Sequence, residues 1–98
     1  MNSTIVKKLQ MALPNYPIKK AWIFGSYSRG EETRASDVDI MVQFDKNAAV
    51  TLLDYSGIQL DLQDLLHRKV DLVQEGCLYK FAQESAEKEK ILIYERSK

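Results

Sequence analysis

The sequence predicts an α/β (α+β) fold in which a mixed β-sheet of about four strands carries helices packed on it. Apolar residues at helical spacing alternate along the chain with short runs rich in branched and aromatic residues, which are typical of strands. The first two strand-like runs, 18–24 and 37–44, are joined by a short link that favours antiparallel or locally mixed pairing. The 98 residues are 45% hydrophobic, which predicts one domain over 1–98.

A first helix is predicted near the N-terminus. Asn2 and Ser3 are candidate N-caps, and Pro14 ends the segment because proline cannot continue a helix. Between these signals the apolar residues recur at helical spacing: Ile5, Val6, Leu9 and Leu13.

Two strands are predicted next. "IKKAWIF" (18–24) is short, rich in aromatic and branched residues, and runs into Gly25. "DVDIMVQF" (37–44) begins with a strict alternation of acidic and apolar residues. Such alternation is the pattern of a strand with two different faces.

The second half of the chain predicts two further helices and two further strands. The stretch 50–68 has one helical face, although Gly57 in its middle disfavours a continuous helix; the face comprises Leu53, Ile58, Leu62, Leu65 and Leu66. "KVDLV" (69–73) and "ILIYE" (91–95) are strand candidates. Between them, the spacing after Gly76 predicts a helix from Leu78, Phe81, Ala82, Ser85 and Ala86.

Charge and cysteine content exclude several classes of function. Fourteen basic residues balance fourteen acidic ones, so no overall positive field would attract long nucleic acid or an anionic membrane surface. A single cysteine cannot form an internal disulfide, and neither a membrane span nor a signal peptide is predicted. The expected location is therefore cytoplasmic.

Two aspartates in the second strand form the first candidate site. Residues i and i+2 of a strand point to the same face, so Asp37 and Asp39 project together while Val38, Ile40 and Val42 face the opposite side. Two adjacent carboxylates repel each other unless water or a cation compensates them. Oxygen ligands without His or Cys favour Mg²⁺ or Mn²⁺, completed by the oxygens of a bound phosphate. A solvated strand edge is the alternative.

The Gly-Ser turn before the acidic pair is a candidate phosphate-binding site. Gly25 allows the backbone to turn sharply and approach a ligand, and Ser26 adds a hydroxyl group at the start of a predicted short helix. Arg29 lies within one turn and could supply a cationic contact before Gly30 ends that helix. An ordinary turn with a surface arginine is the alternative.

Asp71 is the third carboxylate of interest, because it lies between Val70 and Leu72 inside a predicted strand. If this strand neighbours that of Asp37 and Asp39, the three carboxylates converge at one end of the sheet. Such a group could hold two cations that polarise a triphosphate, with Asp71 accepting the proton of an attacking hydroxyl. The alternative is a solvent-exposed aspartate on an edge strand.

These residues carry a family resemblance. "GSYSRGEETRASDVDI" (25–40) resembles the signature of the DNA polymerase β-like nucleotidyltransferases, Gly-Ser, ten residues and Asp-x-Asp, with Gly25, Ser26, Asp37 and Asp39 in the matching places. "RKVDLV" (68–73) is similar to the third-aspartate strand of the minimal nucleotidyltransferases, a short branch of that superfamily.

The resemblance implies the nucleotidyltransferase fold and a Mg²⁺-dependent transfer of a nucleoside monophosphate, usually AMP from ATP, onto a hydroxyl group. It assigns Asp37 and Asp39 as metal ligands and Asp71 as third ligand and base. Gly25 and Ser26 would hold the phosphates.

The partner is also implied by the resemblance. Larger relatives carry an additional acceptor-binding domain, for which 98 residues leave no room, so the acceptor is expected on another protein. Short members of the family commonly act as antitoxins that adenylylate a tyrosine on a HEPN-domain toxin. Two alternatives remain at this point: a binding module that blocks its partner by occlusion, and the catalytic subunit of a two-subunit enzyme acting on a small molecule.

Overall fold

The computed structural model describes residues 3–25, 30, 37–75 and 88–96. Within these ranges two α-helices and four β-strands follow the predicted order: α1 (Ser3–Ala12), β1 (Ile18–Phe24), β2 (Val38–Phe44), α2 (Leu52–Leu66), β3 (Val70–Gln74) and β4 (Ile91–Glu95). A 3₁₀ turn over Leu13–Asn15 ends the first helical segment at the predicted proline. The helix predicted after Gly76 lies outside the described residues.

The four strands form one mixed sheet in the order β3-β2-β1-β4. β1 pairs antiparallel with both β2 and β4, whereas β2 and β3 are parallel. A parallel pair needs a crossover connection, which α2 supplies between β2 and β3. The predicted mixed sheet with packed helices is therefore confirmed.

The ends of α2 follow from local hydrogen bonds. The Asp54 N–H donates to Thr51 Oγ1 over 3.2 Å, and the Thr51 N–H donates to Asp54 Oδ2 over 3.1 Å, which forms a capping box. His67 caps the other end with a left-handed φ of 54°. Gly57 does not interrupt the helix, because Ile58 and Leu62 after it are buried in the core, and the partly buried Tyr55 before it packs against the same cluster.

One face of the sheet forms the main core. The alternate residues of β2 and β3 are buried there beneath residues of both helices, and the cluster includes Leu9, Leu13, Ile23, Val38, Ile40, Val42, Leu62, Leu66, Val70 and Leu72. A smaller cluster on the opposite face contains Trp22 and Met41, with Phe24 packed against it.

α2 also holds β3 in place through two hydrogen bonds to its backbone. The Tyr55 hydroxyl donates to the Leu72 carbonyl, and the Val70 N–H donates to Gln63 Oε1 over 3.0 Å. These contacts lie on either side of Asp71 and fix the position of its backbone. None of the helices in the described ranges is both long and apolar enough to cross a membrane.

Candidate functional site

The acidic pair lies at the start of β2. Asp37 immediately precedes the strand and Asp39 is its second residue, so the predicted strand begins one residue too early. Val38 and Ile40 are fully buried, whereas Asp37 and Asp39 keep intermediate exposure. The predicted separation of charged and apolar residues onto opposite faces is confirmed.

Asp71 is the direct neighbour of Asp39 on the parallel strand β3. Adjacent strands lie about 4.8 Å apart and paired residues point to the same side, so both carboxylates extend from one face of the sheet. Asp71 is exposed, and β3 is the outermost strand on its side of the described sheet. An aspartate without a role in a site would show the same exposure and the same position on an outer strand. The alignment of Asp71 with Asp39 is the feature that the site hypothesis requires.

Gly25 brings the Gly-Ser turn against the acidic pair. It follows β1 directly, with a left-handed φ of 71°, and Phe24 at the end of β1 pairs with Asp39. A Cβ atom at Gly25 would overlap Asp39 Oδ2 and come within 3.2 Å of Asp39 Cγ. Only glycine permits this close approach. The other two predicted phosphate-binding residues, Ser26 and Arg29, lie outside the described residues.

Lys69, which was not among the site residues predicted from the sequence, also contacts the site. Lys69 Nζ lies 3.9 Å from Asp37 Oδ2. The signal was present in "KVDLV", because Lys69 stands two residues before Asp71 and therefore shares its side of the strand.

Apolar residues continue the same face of the sheet beyond the carboxylates. Trp22 pairs with Met41 across β1 and β2, two residues along the strands from the Phe24–Asp39 pair. Lys90 Nζ lies 4.3 Å from the centroid of the Trp22 ring and 3.6 Å from Glu75 Oε2. Trp22 is therefore a packing residue, whereas the partly exposed Phe24 borders the carboxylates.

The donor set suits magnesium ions that arrive together with a nucleotide. Among the described residues, no three Asp, Glu, His or Cys side chains are grouped so that they could hold one ion by themselves. Mg²⁺ usually takes one or two carboxylates and completes its shell with phosphate oxygens and water. Two of the three carboxylates of Asp37, Asp39 and Asp71 would be enough for one ion of this kind. A preformed site with three protein ligands is not needed.

Two cavities within the described ranges lie away from the carboxylates, along the N-terminal half of α2. One of 240 Å³ is lined in part by Phe44, Tyr55 and Gln74. The other, of 430 Å³, contacts Tyr16 and Asp61, and burial together with the Tyr16–Asp61 hydrogen bond raises the pKa of the Tyr16 phenol. Neither cavity includes a candidate site residue, so the charged groups, and not these cavities, locate the site.

Comparisons with known proteins identify the family of this chain. The family described as "Polymerase beta, Nucleotidyltransferase" matches residues 7–98. A candidate protein adenylyltransferase of Methanocaldococcus jannaschii is 37% identical over 79 residues, which cover 80% of this chain and 79% of the relative.

Solved structures show the same fold. A candidate minimal nucleotidyltransferase superposes with a TM-score of 0.67 at 31% identity and covers 91% of this chain and 88% of its own. A complex of the tri-AMPylated Shewanella oneidensis HEPN toxin with an MNT antitoxin matches with a TM-score of 0.72 at 19% identity, covering 98% of this chain and 74% of the matched one. This chain therefore belongs to the polymerase β family of nucleotidyltransferases, as a minimal nucleotidyltransferase.

Proposed function

We propose that this single-domain chain is a protein adenylyltransferase that transfers AMP from ATP onto a tyrosine hydroxyl of a HEPN-domain toxin, and that it acts as the antitoxin of the pair. The observation that carries the proposal is the alignment of Asp39 with Asp71, together with the approach of the Gly25 backbone to Asp39. A triphosphate on the Gly-Ser turn would then lie next to the carboxylates.

The roles that we assign to the residues combine this placement with the sequence motifs and the family resemblance. Asp37, Asp39 and Asp71 would hold magnesium ions, which supply positive charge to the triphosphate. Gly25, Ser26 and Arg29 would hold the phosphates. The acceptor oxygen forms a bond to the α-phosphorus, the bond from that phosphorus to the bridging oxygen breaks, and pyrophosphate leaves. Asp71 accepts the hydroxyl proton, as the family resemblance implies, and its exposed side chain is accessible to an incoming acceptor.

The nature of the acceptor is supported by the relatives. One is described as a candidate protein adenylyltransferase, and the Shewanella oneidensis complex contains an AMPylated HEPN toxin with an MNT antitoxin. Both descriptions concern proteins as acceptors of AMP, and we extend them to this chain. Tyrosine is the acceptor that the family resemblance implies.

Labelled ATP tests the proposal directly. The chain is incubated with α-labelled ATP, Mg²⁺ and its HEPN partner, and the label is located by gel electrophoresis and peptide mass spectrometry. We expect label on a partner tyrosine, dependence on Mg²⁺, and loss of labelling with Asp37→Asn and Asp39→Asn.

Other outcomes select the alternatives. Toxin inhibition without label, retained by both Asn variants, would show a binding module that acts by occlusion. Label on a small metabolite would show a subunit of a small-molecule nucleotidyltransferase. Equal labelling of the partner by the wild type and both variants would contradict the assigned site.

A further inference from the structure

Lys69 and Asp37 are held side by side at the start of the parallel strand pair. The Val38 N–H donates to the Lys69 carbonyl over 3.0 Å, which aligns the residues that precede β2 and β3. Their side chains form an ion pair of 3.9 Å, in which the lysine side chain is 67% exposed and the aspartate side chain 42% exposed. The backbone is thus fixed, whereas the ammonium group remains in contact with solvent.

The pair lies directly beside the like-charged pair of the site. Alternation along each strand places Lys69 on the side of Asp71, and Asp37 on the side of Asp39. The four side chains therefore form two adjacent rows across the strands, one of opposite charge and one of equal charge. An ammonium group in this position adjoins the proposed place of the triphosphate.

Physical chemistry favours exchange of this ion pair when ligands bind. An ion pair between side chains as exposed as these contributes little to stability, so separating it is easy. A divalent cation on Asp37 would compete with the single charge of the lysine for the same carboxylate. Lysine carries its charge on a flexible four-carbon chain and commonly binds phosphate as a point charge. The released ammonium can therefore reach phosphate oxygens.

We propose that Lys69 is a triphosphate-binding residue that is held on Asp37 in the free protein and transfers to the phosphates when metal and nucleotide bind. This inference rests on the proposed function only in taking a nucleoside triphosphate as the ligand. It adds a residue that positions the phosphates and a role for Asp37 before any ligand arrives.

Equilibrium binding to the full chain, without an acceptor protein, tests the inference. Calorimetry measures the dissociation constants of two ligands: a non-hydrolysable ATP analogue in the presence of Mg²⁺, and AMP alone. Each is measured for the wild type, for Lys69→Gln and for the control Lys46→Gln. Lys46 is an exposed lysine beyond the far end of β2. We expect Lys69→Gln to weaken binding of the analogue about tenfold and to leave AMP binding unchanged, with no effect of Lys46→Gln. Binding of the analogue as tight as in wild type, or an equal loss for AMP, would overturn the assignment.

Binding of Mn²⁺ alone tests the part played by Asp37. Because Lys69 competes with the ion for that carboxylate, Lys69→Gln should strengthen Mn²⁺ binding about threefold, opposite in sign to its effect on the analogue. Unchanged or weaker Mn²⁺ binding would contradict the proposal that Lys69 is paired with Asp37 in the free protein. A wild-type chain that does not bind the analogue would refute the assignment of Lys69 together with the ATP site. A chain that binds the analogue but transfers no AMP would refute only the proposed function.

Discussion

The two faces of the β2–β3 pair are made by alternate residues of the same strands, yet at the start of these strands they differ in burial and in charge. On the helix-covered face Val38, Ile40 and Val70 are fully buried. On the other face Asp39 and Asp71 stand next to each other and remain accessible to solvent. Burial on the first face stabilises the fold, whereas the aligned carboxylates on the second place two like charges together, which is slightly destabilising.

The difference shows how a small fold can hold a repulsive arrangement in place. A shift of one residue in the pairing of β2 would move Val38, Ile40 and Val42 out of the main core and onto the face of Asp39, so the main core fixes the register. The same register then aligns Asp39 with Asp71, although these two residues do not favour it themselves. Substitutions on the two faces should therefore affect stability and activity separately.

The largest effect is expected from Asp39→Asn. The substitution keeps the shape of the side chain and removes the charge that would hold a magnesium ion, so AMP transfer should fall about a thousandfold, equivalent to ~4 kcal/mol. The rate of labelling of the partner measures this loss. Urea denaturation should show an unchanged or slightly higher free energy of unfolding, and a large loss of stability would contradict the separation of the two faces.

The neighbouring residue on the other face should behave in the opposite way. Ile40→Ala removes a fully buried side chain and leaves a cavity under the helices, so the free energy of unfolding should fall by about 3 kcal/mol. Urea denaturation measures the change. At a temperature where the variant remains folded, AMP transfer should stay within a fewfold of wild type. A thousandfold loss there would show that the two faces are not independent.

The sequence predicts the faces of the strands well because each depends on a short local pattern. Alternation in "DVDIMVQF" and "KVDLV" assigns the buried and accessible residues without knowledge of the rest of the chain. The start of α2 was also encoded locally, since Thr51 and Asp54 have the spacing of a capping box, and this signal would have corrected the predicted start at Val50. Gly57 led to a wrong expectation, since it disfavours a continuous helix in the sequence. The helix is continuous because the burial of Ile58 and Leu62 outweighs the low helix propensity of glycine.

The site was only partly predictable, because its contacts join segments that are distant in the chain. The approach of Gly25 to Asp39 depends on the antiparallel pairing of β1 with β2. The contact between Lys69 and Asp37 depends on the parallel pairing of β2 with β3. Spacing in the sequence indicates which residues share a face, but the strand order decides which faces meet.

Gly25→Ala should damage the accessible face from the neighbouring strand. Alanine at this position would have to adopt an unfavourable left-handed backbone conformation, and its methyl group would overlap the Asp39 carboxylate. We expect a loss of about 2 kcal/mol in the free energy of unfolding and weaker binding of a non-hydrolysable ATP analogue. The matched control is Gly57→Ala in α2, where a Cβ meets nothing within 4 Å. That variant should be more stable by roughly 0.5–1 kcal/mol and bind the analogue normally. Equal effects of the two substitutions would show that the contact with Asp39 is unimportant.

The smallest effect concerns the repulsion itself. Asp71→Asn leaves one charge in the aligned pair with Asp39, so the free protein should become more stable by about 0.5 kcal/mol in urea denaturation at low salt. The gain should shrink in 1 M salt, where charges are screened over about 3 Å. Asp37→Asn is the matched control with the same change of charge, and because it removes the contact with Lys69 it should give no gain. If Asp71→Asn were instead destabilising, the carboxylate would be held by favourable contacts in the free protein, and the accessible face would not carry the stability penalty that distinguishes it from the buried one.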